Sequence, residues 1–121
     1  MAKPTKSVAD AIAHMEQQMR FEAEEGDRKA ASGRDARDGR RHLQAVADLM
    51  VAAGAYAKAN AYTISIGALY HTLGHDDAPA SVAVQTLQGR YARLRREAEM
   101  DAQEVLDTIR RLSAEGQPVK H

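Results

Sequence analysis

The stretch PASVAVQTLQGRYARLRREAEMDAQEVLDTIRRLSA, residues Pro79–Ala114, decides the fold class. Val84, Leu87, Tyr91, Leu94, Ala98, Ala102, Val105 and Ile109 return every three or four positions, and charges fill nearly every gap between Leu87 and Leu112. That spacing predicts one long amphipathic helix. At about 1.5 Å per residue such a helix runs roughly 54 Å, whereas a compact chain of this length has a radius of gyration of about 14 Å. The helix therefore extends beyond a compact core, and its apolar stripe is expected to meet a partner, foremost a second copy of the chain. With Val84 and Tyr91 at a and Leu87 and Leu94 at d, Arg90 and Arg95 flank the stripe, and an antiparallel pair crossing near Leu94 would set Arg90 against Glu97 of the other copy. The competing reading is that the stripe packs on the first helix of its own chain, as short heptad runs do in ordinary bundles.

Upstream, Ser7 and Asp10 have the chemistry of a helix start, and Val8, Ile12, Met15 and Met19 mark one face after it. Between Phe21 and Leu43 no apolar residue is larger than alanine, and Gly26, Gly33 and Gly39 interrupt the charges. This composition predicts a charged, mobile connector over 24–41 with a break near Gly33. From Leu43 the positions Val46, Ala47, Met50, Ala53 and Ala57 recur at helical spacing, and Tyr62, Ile66, Leu69, Tyr70 and Leu73 suit a helix ending at Gly74. Asp76 and Asp77 before Pro79 suggest an acidic start for the final helix. The expectation is an all-α chain forming a single domain over 1–121. It is an elongated helical bundle with an alanine-rich central helical hairpin and a long C-terminal amphipathic helix.

Composition narrows the function classes. The 17 basic residues balance the 17 acidic ones, so no net field draws the chain to nucleic acid or to a membrane surface. Cysteine is absent, which excludes disulfides, thiolate metal sites and thiol catalysis. One Phe and no Trp leave the core to close contacts between small side chains. The stretch from Leu43 to Leu73 is the most apolar, but with Asp48, Lys58 and Asn60 it is a poor membrane span. The opening MAKPTKSVADAIAHMEQQ has no apolar leader, so a cytoplasmic location is expected. The preference for alanine and arginine is what a GC-rich bacterial genome tends to encode.

Site chemistry is sparse. His71 and His75 stand four apart beside Asp76 and Asp77, yet Gly74 ends the helix between them, and no second helix offers a matching Glu-x-x-His pair, so no metal site is expected. No serine elbow or glycine-rich phosphate loop occurs, and the acidic pair Glu24 and Glu25 lies among charges where no apolar pocket could tune it. The chain is thus expected to have no catalytic residue and no cofactor. Two basic clusters remain, Arg34, Arg37 and Arg41, and Arg90, Arg93, Arg95 and Arg96. With Gln85, the residues Arg90, Arg93 and Arg96 could contact nucleic acid if the segment near 62–96 worked like a helix-turn-helix. The turn HDDAPA is long for that motif, and Glu97, Glu99, Asp101, Glu104 and Asp107 repel phosphate further along. The expectation is a non-enzymatic interaction or regulatory protein acting through helical surfaces, partnered by itself and by another protein. A small DNA-binding regulator is the alternative.

Overall fold

The computed structural model describes residues 7–121, and among them all regular structure is helical: α1 (Val8–Asp38), α2 (His42–Thr72) and α3 (Pro79–Ala114). The helices run up, down and up. α2 packs along both neighbours, while α1 and α3 barely touch each other. The final helix has the bounds its periodicity predicts. Its start is different, because Ala78 is the N-cap without a side-chain bond, and the Asp76 carboxylate turns instead to His71 Nδ1 at 2.9 Å.

Most helix ends have a local cause. At the start of α1, Ser7 Oγ accepts from the Asp10 amide while the Asp10 carboxylate accepts from the Ser7 amide, a reciprocal capping box. The three C-terminal ends share one closure. A residue in the left-handed region, Arg40 (φ 59°), Gly74 (φ 72°) or Gly116 (φ 70°), lets the next amide donate back to the carbonyl five residues earlier. The α2 N-terminus lacks a side-chain cap, and the amides of Leu43 and Gln44 donate instead to the carbonyls of Lys120 and His121 in the returning C-terminal tail. Free helix amides are thereby satisfied by backbone from the far end of the chain.

The expected connector over 24–41 is helix through Asp38, and the chain turns at 39–41 rather than at Gly33. The reason is close packing. Met19, Ala23, Gly26, Ala30, Gly33 and Ala36 are buried at spacings of three and four, forming a stripe of mostly small residues against α2. A Cβ on Gly33 would lie 2.7 Å from Leu49 Cγ and 3.1 Å from the Leu49 amide nitrogen. At Gly26 it would lie 2.7 Å from the Tyr56 ring. These glycines lower intrinsic helicity by about 1 kcal/mol each, and contact with α2 along the whole helix outweighs that cost.

The alanine-rich centre, expected as a helical hairpin, is instead the single helix α2, and the hairpins of the fold are α1–α2 and α2–α3. Its buried face holds Ala45, Asp48, Leu49, Ala52, Ala53, Ala55, Tyr56, Ala59, Thr63 and Ile66. Of the positions read from the sequence Ala53 and Ile66 are among them, and Met50 is 52% exposed. Two groups of buried residues line the bundle, one from Ile12, Tyr56, Ile66 and Val84 to Ala98, the other around Ala36, Ala45, Leu49, Ala102 and Val105. Two buried polar side chains are held: Asp48 accepts from Ser32 Oγ (2.7 Å) and Gln44 Nε2 (2.9 Å), and Thr63 Oγ1 donates to the Asn60 carbonyl (2.6 Å).

Two outcomes check this packing. Amides of Ala30–Ala36 are expected to exchange with solvent as slowly as those of Leu49–Ala59, measured by native-state hydrogen exchange. In urea titrations Gly33→Ala is expected to lower stability by about 1 kcal/mol or more, since the clash exceeds the gain in helix propensity. Gly89, where a Cβ would meet nothing within 4 Å, serves as the control. Gly89→Ala should raise stability by up to about 1 kcal/mol.

Candidate functional site

The α3 stripe expected to serve as an interface is covered within the chain. Val84, Tyr91, Ala98, Ala102 and Val105 are buried in the bundle core, and Ile109 packs beside them. The cover is chiefly α2, which neither the partner reading nor the first-helix reading anticipated. Leu87 and Leu94 are partly exposed in the shallow channel where α1 and α3 stand apart. Its upper part is lined by Glu16, Met19, Val84, Leu87 and Tyr91, and its lower part by Arg20, Asp27, Arg90 and Leu94.

Most arginines of the two basic clusters lie against carboxylates. Arg34 Nε lies 2.9 Å from Asp101, and Arg37 Nη1 lies 3.6 Å from the same carboxylate, so two arginines of α1 converge on one aspartate of α3. Arg41 reaches Asp35 at 3.4 Å. On α3, Arg93 stands 3.8 Å from Glu97 and Arg95 2.8 Å from Glu99, pairs one helical turn apart. Gln85 turns back toward Ser81 Oγ (3.4 Å) and the Asp76 carbonyl (3.5 Å). Arg90 borders the channel beside Tyr91, and Arg96 is exposed on the outer surface. Arg90, Arg93 and Arg96 follow one another at steps of three along α3 and all are exposed, with Gln85 one turn and more before them.

Tyr56 links the two sides of the core. Its hydroxyl donates to Asp27 Oδ1 at 2.5 Å, and its ring fills the space left by Gly26. Burial raises its pKa well above the ordinary tyrosine range, the hydrogen bond and charge of Asp27 raise it further, and Arg34 and Arg90 oppose the shift. Burial also raises Tyr91, again opposed by Arg90.

The surface that stands out lies on α2, opposite its buried face. Leu43, Ala47, Met50, Gly54, Ala61, Ile64 and Ala68 are exposed, and Ala57 is half-buried among them. They follow one another at alternating steps of four and three along the helix. Val51 (49% exposed) and Phe21 of α1 (61% exposed) border the same strip and share a hollow with Gly54 and Lys58. Lys58 is the sole Lys, Arg, Asp or Glu among the exposed residues of α2 from Leu43 to Ala68, and it lies at the edge beside Glu22 and Glu25. Sequence reasoning missed this surface because it set Met50 and Ala57 on one stripe with Ala53, which is buried. The available signal was that α2 is apolar on every side, a pattern that calls for cover on every side. No helix of the described residues is long and apolar enough to cross a membrane.

The tyrosine environment has a measurable consequence. The folded chain holds the Tyr56 proton more tightly than the unfolded chain, whose tyrosines titrate near about pH 10. The associated stability is complete below that pH and is lost as pH rises above it. Thermal melts from pH 8 to 11.5 are expected to show a steeper alkaline decline for the wild type than for Tyr56→Phe. At pH 8 that variant should be less stable by about 1 kcal/mol through loss of the Asp27 hydrogen bond.

Comparison with models of known protein families, with curated proteins and with solved structures found no match, so the functional reading rests on the surface chemistry of the chain itself.

Proposed function

We propose that this chain is a non-enzymatic interaction protein of regulatory or assembly type, working through helix faces rather than through a chemical site. The observation that carries the reading is the open face of α2, with Met50, Ile64, Val51 and the adjoining Phe21 exposed on a strip bearing one lysine at its edge. Leaving large apolar side chains in water costs free energy that contact with another protein recovers, and contiguous apolar strips on folded domains commonly mark such contacts. The arginines of α3 fit this reading as a solvated flank, since Arg93 and Arg95 lie against glutamates of their own helix. Duplex DNA binding in this reading is weak and indifferent to sequence, with a Kd no tighter than about 10⁻⁶ M at near-physiological salt.

The test is retention of a defined protein, whether further copies of the chain or another component, from an extract of the native host by the immobilised chain. Met50→Glu is expected to abolish retention while leaving the thermal melt within about 0.5 kcal/mol of wild type, because position 50 is exposed. Retention indifferent to that substitution, or a sequence-specific nanomolar DNA site lost in Arg93→Ala, would sink the proposal.

A further inference from the structure

Resting on that reading, we infer that the open face of α2 is occupied by the same face of a second copy, the two helices running antiparallel about a two-fold axis between residues 55 and 56. The argument is one of register. Along the strip, Leu43, Met50 and Ile64 are large, while Ala47, Gly54, Ala57, Ala61 and Ala68 are small. In the antiparallel register centred there, Leu43 faces Ala68 of the other copy, Met50 faces Ala61, and Ile64 faces Ala47. The central layer pairs Gly54 with Ala57. Every layer off the axis thus sets a large side chain into the space left by an alanine, and the two backbones come closest where the side chains are smallest. The mirror order of large and small residues belongs to the chain's own sequence, so one chain supplies both halves of an isologous interface.

Three further observations agree. Gly54 stands at the centre of this register, and a Cβ there would meet nothing within 4 Å in its own chain, so the position is open to close approach by a neighbouring backbone. The strip has Lys58 only at its edge, beside Glu22 and Glu25, so no charged side chain is taken into the centre of the contact. From Leu43 to Ala68 the strip is about 39 Å long and about 10 Å wide. Widened by Phe21 and Val51, it covers on the order of 500–600 Å² per copy, close to the roughly 600 Å² a side at which specific interfaces begin.

The experiment is light scattering coupled to size exclusion, with chain loaded at about 100 μM to favour a modest interface. The expected mass is twice the 13.2 kDa of one chain. Gly54→Leu fills the crossing point and Ala61→Glu places a charge opposite Met50, and each should weaken pairing at least about 100-fold. Leucine at position 54 improves helix propensity, so lost pairing in that variant cannot be ascribed to unfolding, and circular dichroism should show both variants fully helical. Orientation is read by cross-linking, which the absence of native cysteine keeps clean. Mixing a Met50→Cys chain with an Ala61→Cys chain should give the mixed disulfide, because two residues 50 lie about 16 Å apart along antiparallel helices and cannot bridge. A monomer at this loading, a dimer indifferent to Gly54→Leu and Ala61→Glu, or 50-to-50 linkage would overturn the inference. A monomer that still captures another protein in a Met50-dependent way would overturn self-pairing alone, whereas a monomer that captures nothing would take the broader reading with it.

Discussion

The absence of side-chain volume at Gly26 and Gly33 is the constraint from which the rest of the architecture follows. With Leu49 and Tyr56 lying where a Cβ would be, α1 and α2 approach until the stripe of small residues from Ala23 to Ala36 touches its counterpart. An alanine buries little apolar surface, and at about 25 cal/mol per Å² no single contact of this kind contributes much. The contact has to be repeated, and so the helices are long. Leu49 and Ile66 are the largest apolar side chains wholly withdrawn from solvent, so dispersion along extended, closely spaced helices holds the bundle rather than a deep central core.

This geometry makes α2 the shared element. Because α1 and α3 both lean on α2 and little on each other, neither wraps round to its far side. An apolar helix flanked on two sides retains a third face, and on α2 that face carries residues of the kind that build its buried contacts. Continuity between the inner and outer faces explains why the fold and the proposed interaction use the same device. Small residues at steps of three and four bring one helix backbone close to another, inside the chain or between chains.

Much of this was legible in the residues, and the parts that were not share one cause. Ser7 with Asp10, Gly74 before the final turn and the Pro79–Ala114 periodicity are local signals, and the chain obeys them. Reading bulk as the mark of burial makes 24–41 a connector, although Ala23, Gly26, Ala30, Gly33 and Ala36 carry helical spacing. The α3 stripe was legible as a covered face, but periodicity says only that a face is covered and not by what. On α2 both faces are apolar, so no contrast distinguished Met50, which faces solvent, from Leu49, which is buried. The candidate surface was hidden for the same reason.

Small-residue contacts leave register weakly specified, since one alanine is much like another seven residues on. A slip of α1 by one heptad along α2 would move Gly33 to Tyr56 or Gly26 to Leu49, so one glycine of the pair would still be accommodated. Polar contacts remove that freedom. In the native register Asp48 meets Ser32 at 2.7 Å and Lys29 at 3.9 Å, and the Tyr56 hydroxyl meets Asp27. After a slip in one direction Asp48 would face Glu25 and Tyr56 would face Arg20. In the other, Asp48 would face Gly39 and Tyr56 would face Arg34. Either way the buried Asp48 carboxylate loses Ser32 and Lys29, its partners on α1, and keeps only Gln44 of its own helix, a cost of about 1–3 kcal/mol for the hydrogen bonding lost. These few polar groups add little to the net stability of the correct bundle, and their main effect is to make the neighbouring registers untenable.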